Sequence, residues 1–171
     1  MNIAEVTELA AADSHTRDTL VDELYGHGPM LLAAARVITL DNEEAQDLVQ
    51  TTFEIALRRI DGLREPRALR AWLLTIQARE ALRVVRRLRR LVNLDARVGE
   101  IATHSPDLAQ TTDIRHALAA LPRRTRAAIA LHYLAGMTVP ETALALGVSQ
   151  NTIKSQLKTG LDRLREELRD G

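Results

Sequence analysis

Apolar residues return at intervals of three and four along most of this chain, the spacing that gathers them on one side of a helix. Leu20, Leu24, Leu31, Leu32, Ala35 and Ile38 predict a first helix or helix pair. Gly28-Pro29 bends or restarts it, because proline lacks a backbone donor. Ala45, Leu48, Val49, Phe53, Ala56, Leu57 and Ile60 predict the next helix. Asp41 or Asn42 caps it, acids crowd its first turn where the helix dipole favours them, and Gly62 closes it. Pro66 suits the first turn of a third helix, whose stripe of Leu69, Trp72, Leu73, Ile76, Leu82 and Val85 leads into an arginine run ending at Arg90.

The periodicity fades from Val92 to Thr112, where Gly99 and Ser105-Pro106 fall, and this stretch reads as a linker. Beyond it come a helix around Ile114 to Leu121 and, after Pro122, another from Arg123 to Leu134, with Gly136 as its stop. Thr138-Val139-Pro140-Glu141 has the spacing of a capping box before a brief apolar helix. Gly147 permits a sharp turn, and Ser149 caps a last helix whose Ile153, Leu157, Leu161, Leu164 and Leu168 face inward. These elements predict an all-α fold of two small helical domains, residues 1–92 and 112–171, joined by a linker over 93–111. The C-terminal domain ends in a short helix, a glycine turn and a second helix, the helix-turn-helix pattern.

Composition agrees with helices. The four aromatics (Tyr25, Phe53, Trp72, Tyr133) leave the core to Leu, Ala, Ile and Val. The absence of cysteine excludes disulfides and thiolate metal sites and fits a reducing compartment. No basic start precedes an apolar run, and no stretch approaches eighteen uninterrupted apolar residues, so a cytoplasmic protein without membrane insertion is expected. Net charge is zero, which makes the distribution informative rather than the total. Glu5, Glu8, Asp13, Asp18, Asp22 and Glu23 face only Arg17 and Arg36 in the first forty residues, whereas Arg83 to Arg90 holds five arginines. There is no P-loop, GxSxG or HExxH, and His15, His27, His104, His116 and His132 lack metal-ligand spacing. An enzyme, a metal and a cofactor are therefore not expected.

The stretch GVSQNTIKSQLKTG carries the sharpest chemistry. With Ile153 and Leu157 inward, Gln150, Asn151, Lys154, Ser155 and Lys158 turn outward. Amides suit base edges and lysines suit phosphates, yet any amphipathic surface helix has a polar face. The local pattern leaves DNA reading and plain packing evenly matched.

The wider sequence separates them. LPRRTR, YLAGMTVPETA, LGVS and TIKSQLKTGLDRLR, between Ala117 and Leu168, closely resemble region 4 of the bacterial extracytoplasmic-function (ECF) sigma factors. EEAQDLVQTTF and LRAWLLTI resemble the polymerase-binding helix and the start of the promoter-reading helix of region 2 in the same family. The resemblance implies a sigma factor that binds core RNA polymerase and directs promoter-specific initiation. Asp47, Gln50, Thr51 and Phe53 would lie at or beside the contact with the β′ clamp helices, Phe53 equally well filling the core. Region 2 would open and read the -10 element, with Arg79, Arg83, Arg86, Arg87 and Arg90 near the DNA, the run from Arg83 being suited to phosphates. Region 4 would read the -35 element through Gln150, Asn151, Lys154, Ser155 and Lys158. An anti-sigma factor is a further implied partner.

The chain departs from the family at several positions. Ile76-Gln77-Ala78-Arg79 stands where an IARN-like stretch is usual, Arg83 where an Asp is common and Leu57 where a Trp is frequent, which bears on -10 preference and melting. In region 4, Gln156 replaces a common Arg and Pro140 a common Ala. A helix-turn-helix regulator with a different N-terminal partner, or a sigma-like protein that only sequesters an anti-sigma factor, would share many of these residues. The DLVQTTF helix favours the sigma factor.

Overall fold

The first two helices are one amphipathic run broken at a proline. The structure, a computed structural model, describes residues 17–63, 65–92 and 113–170, excepting the side chains of 84–92 and of the terminal positions 113 and 170. The expected linker over 93–111 and the acidic positions of the N-terminus before Arg17 lie outside the described residues. Helical residues 17–26 form α1, and α2 (Gly28–Thr39) restarts with Pro29 in its first turn. At its far end Leu40 takes a left-handed conformation, φ 62°, returning its N–H to the Arg36 carbonyl at 2.9 Å. Asp41 caps α3 (Asn42–Arg59), its carboxylate accepting from the Glu44 N–H at 2.7 Å.

A tight turn over Ile60–Gly62 follows α3. Pro66 opens a second such turn, Pro66–Ala68, rather than the first α-helical turn of α4 (Leu69–Val92). Hydrogen bonds spanning three residues wind this segment more tightly than an α-helix, as helix starts often do.

The C-terminal half comprises α5 (Asp113–Ala119), α6 (Arg123–Ile129), α7 (Val139–Leu146) and α8 (Gln150–Asp170). The helix expected from Arg123 to Leu134 is regular only to Ile129. Over Ala130–Leu134 it widens into a π turn, in which the Ala135 N–H reaches back five residues to the Ala130 carbonyl at 2.9 Å. Gly136 then turns the chain with φ 63°.

The two halves share a core. Leu24, Leu31, Ile38, Leu73 and Leu74 of the N-terminal half are buried together with Ala127, Ala130, Leu131, Ala135, Met137 and Ala145 of the C-terminal half. A smaller cluster of Leu121, Ala128, Ile129, Ala143, Ile153 and Leu157 seats α8 against α6 and α7. Gly160 makes the seating close: a Cβ there would lie 2.8 Å from Thr125 Cγ2 and 2.9 Å from Ile129 Cδ1. The inward stripe of α8 ends earlier than its periodicity predicts. Ile153 and Leu157 are buried and Leu161 and Leu164 half-buried, but Leu168 is 45% exposed. The 21 residues of α8 span about 31 Å, whereas α5 and α6 are about 10 Å each, so the far end of α8 outruns its cover.

Candidate nucleic-acid interface

Helix α8 presents its polar face because both ends of the preceding turn are fixed locally. Thr138 and Glu141 complete the capping box of α7: the Thr138 N–H and hydroxyl donate to Glu141 Oε2 at 2.7 and 2.6 Å, and the Glu141 N–H donates to Thr138 Oγ1 at 3.4 Å. These bonds from Thr138, side chain first and backbone second, hold the Glu141 carboxyl below its ordinary range, and the nearby Arg70 charge adds to them. Gly147 closes α7 with φ 66°, and Ser149 Oγ accepts from the Thr152 N–H at 3.1 Å. Gln150, Asn151, Lys154, Ser155 and Lys158 all emerge exposed. Among the described residues neither Lys154 nor Lys158 has an ion-pair partner, whereas Arg165 is paired with Asp162 at 3.1 Å. The result is a bare face of amides and free ammonium groups at the mouth of a helix-turn-helix.

Helix α4 is in a different condition. Leu73, Leu74, Ile76 and Ala78 are buried. Gln77 is 0% exposed: its amide donates to the Leu31 carbonyl at 2.9 Å, while its Oε1 is buried without a partner. Of the unusual Ile76-Gln77-Ala78-Arg79 stretch, only Arg79 therefore reaches the surface, and it lies along the C-terminal end of α7, donating to the Ala145 and Leu144 carbonyls at 3.4 and 3.5 Å. Arg83 is exposed and engaged by Glu80 at 2.8 Å. The side chains of Arg86, Arg87 and Arg90 lie outside the described residues.

On α3, Asp47 and Gln50 are exposed, and Thr51 and Phe53 are half-buried. Phe53 serves two surroundings at once. It packs on the shared core and meets the Tyr25 ring at a centroid distance of 5.2 Å. It also lines an open groove of about 520 Å³ with Tyr25, Leu32, Val49, Gln50 and Leu57. Tyr25, Leu32, Val49 and Leu57 lie outside the set Asp47, Gln50, Thr51 and Phe53 that the sequence points to. The local signal was there, since Tyr25 is an aromatic residue one turn before Gly28-Pro29, but its neighbour across the groove comes from another helix. His27, between α1 and α2, has its Nε2 buried and unpartnered, and His132 Nδ1 meets the Met137 carbonyl at 2.7 Å. No group of acids and histidines among the described residues could hold a metal ion.

The comparisons with known proteins fall on the same two halves. Residues 24–91 match the family described as Sigma-70 region 2, and residues 111–164 match Sigma-70, region 4. The RNA polymerase sigma-E factor of Streptomyces avermitilis is 36% identical over 143 residues, spanning 81% of this chain and 78% of that protein. The ECF RNA polymerase sigma factor SigL of Mycobacterium tuberculosis is 31% identical over 176 residues, spanning 98% and 97%. Among solved structures, the sigma factor RpoE in complex with the anti-sigma factor NepR from Bartonella quintana aligns with a TM-score of 0.71 at 30% identity, covering 86% of this chain and 95% of that one. CnrH in complex with the cytosolic domain of CnrY aligns with a TM-score of 0.63 at 25% identity. With both regions in order around a shared all-helical core, the chain belongs to the ECF RNA polymerase sigma factors.

Proposed function

We propose that the chain is an alternative sigma factor that binds core RNA polymerase and directs it to start transcription at particular promoters. The observation that carries this is the pairing, in one chain, of an exposed α3 acid-and-amide surface with the bare amide-and-lysine face of α8. Asp47, Gln50, Thr51 and Phe53 contribute the polymerase contact against the β′ clamp helices. Gln150, Asn151 and Ser155 read base edges of the -35 element from the major groove, while Lys154 and Lys158 neutralise phosphates. Arg79, Arg83, Arg86, Arg87 and Arg90 attract the backbone beside the -10 element. The protein performs no catalysis itself and works in the cytoplasm, where the polymerase is; no described helix is long and apolar enough to cross a membrane. An anti-sigma factor is a natural antagonist, as the two solved relatives were each captured in complex with another protein.

Transcription in vitro with core polymerase on genomic DNA tests this reading. Specific starts that depend on the added protein are expected. Asp47→Ala with Gln50→Ala should weaken core binding without lowering the melting temperature. Unchanged affinity for core polymerase in that double variant would remove α3 from the contact.

A further inference from the structure

Of the 23 basic residues in this chain only Lys154 and Lys158 are lysines; every other is an arginine. The two stand four apart on the polar face of α8, one turn from each other, and both are exposed. Among the described residues neither forms an ion pair. Asp162, one turn beyond Lys158, is engaged by Arg165 instead. On the opposite side of the helix Ile153 and Leu157 are buried, so α8 cannot roll to cover the lysines without giving up its seat.

The two kinds of cation differ in chemistry as well as in shape. A guanidinium spreads its charge over three nitrogens and keeps its proton, so it does not attack a carbonyl at neutral pH. An ε-amine gives up its proton more readily, and the neutral fraction is a nucleophile. Every side-chain amine of this chain therefore sits on the face proposed to meet DNA. The α3 surface proposed for polymerase and the arginine run of α4 hold none.

We infer that Lys154 and Lys158 are an acyl-acceptor pair, through which activated acyl groups lower the affinity of α8 for DNA while leaving polymerase binding intact. The co-reactant is an acyl phosphate or an acyl thioester. The unprotonated Nζ attacks the acyl carbonyl carbon, an N–C bond forms, and the bond from that carbon to the phosphate oxygen or thiol sulfur breaks. The leaving group keeps the electron pair, and the nitrogen releases its surplus proton to water. Each transfer turns a cation into a neutral amide.

The consequence is selective, and it rests on the DNA reading of α8. The phosphate contacts of both lysines are lost from the -35 face, while the arginines of α4 and the α3 surface are unaltered. Like charges four apart on a helix repel, so neutralising them does not weaken α8. Bound DNA in turn covers the amines, which by linkage makes acylation and DNA binding antagonistic. A chain already on its promoter is shielded, and a free one is open to modification.

The test incubates the full-length protein with acetyl phosphate in one arm and acetyl-coenzyme A in the other, and locates acetyl groups by peptide mass spectrometry. At least one arm should acetylate both lysines, which identifies the donor class, and a duplex selected from randomised -35 DNA should slow the reaction several-fold. Acetylated protein should bind that duplex on the order of tenfold more weakly at about 0.1 M salt, with a salt dependence smaller by about two phosphate contacts. Core-polymerase affinity and melting temperature should match those of unmodified protein. Lys154→Arg with Lys158→Arg should keep DNA affinity and ignore both donors, and Lys154→Gln with Lys158→Gln should reproduce the acetylated state. Lysines left unmodified in both arms, or a salt dependence unchanged by acetylation, would overturn the inference. If unmodified protein and the Arg variant both bind no duplex, the DNA reading of α8 falls, and the regulation with it, whatever the acetylation map shows.

Discussion

Helices α8 and α4 both carry residues suited to promoter DNA, yet they meet their surroundings in opposite ways. The outward face of α8 is bare, and among the described residues Lys154 and Lys158 form no ion pair. The described part of the corresponding α4 surface is occupied: Arg79 lies on α7, Arg83 is held by Glu80, and Gln77 is turned inward to α2. The difference teaches that DNA-binding composition and DNA-binding readiness are separate properties. Composition is written in single side chains, while readiness depends on which helix the fold lays over them.

The comparison breaks most severely if α8 loses its seat. Ile153 is fully buried on its inward side, so Ile153→Ala should cost about 3 kcal/mol and lower the melting temperature measured by circular dichroism. Any loss of DNA binding in that variant should track the loss of folded protein, because the outward polar face proposed to meet DNA is untouched. A smaller change sharpens the contrast instead. Gln150→Ala with Asn151→Ala should cost roughly 1–3 kcal/mol on the preferred -35 sequence and relax preference there, with an unchanged melting curve. Lys158→Gln should weaken all sequences alike and reduce the salt dependence by about one phosphate contact. Selection on randomised -35 DNA, read beside a salt titration, distinguishes the two.

The smallest effect lies in the turn that aims α8. Since the Glu141 carboxyl is held low in the folded chain, its contribution is present above the ordinary carboxylate range and fades as pH falls through the folded value. Thr138→Ala removes the side-chain bonds responsible, so it should cost about 1 kcal/mol near neutral pH and leave stability less sensitive to acid. Denaturant titrations at neutral and acid pH measure both. Equal acid sensitivity in the variant and the parent would show that the capping box does not set it.

What could be read from the sequence was what neighbours in the chain decide. The Asp41, Thr138 and Ser149 caps, the Gly136 and Gly147 turns and the inward sides of α3 and α8 all follow from residues within a few positions of one another. Resemblance to the family supplied the expected partners of those surfaces, not their state. What escaped was decided at long range. Gln77 is polar and lies in the stretch that resembles the family's promoter-reading helix; its spacing four residues from Leu73 and Ala81 puts it on the inward face, but the Leu31 carbonyl that receives its amide, 46 residues away, is not legible in the sequence. The partner of Arg79 is a helix end about 65 residues away. The π turn has no mark in the apolar spacing, and Leu40 adopts a left-handed conformation without the glycine that would have announced it. Leu168 keeps the right periodicity but outlasts the helices that would cover it.

Gly160 sits midway along α8 and turns that helix into a lever. Its missing side chain lets the backbone rest on Thr125 and Ile129, and this point of contact acts as a fulcrum about 15 Å from Gln150. Any side chain added there must lift the helix or push its neighbours aside, tilting the N-terminal end of α8 that carries Gln150 and Asn151. Hydrogen bonds to base edges tolerate only about 0.5 Å of misplacement. The aim of the polar face proposed to meet DNA is thus calibrated by a residue on the opposite, packed side of the helix, and its smallness is what keeps the sights true.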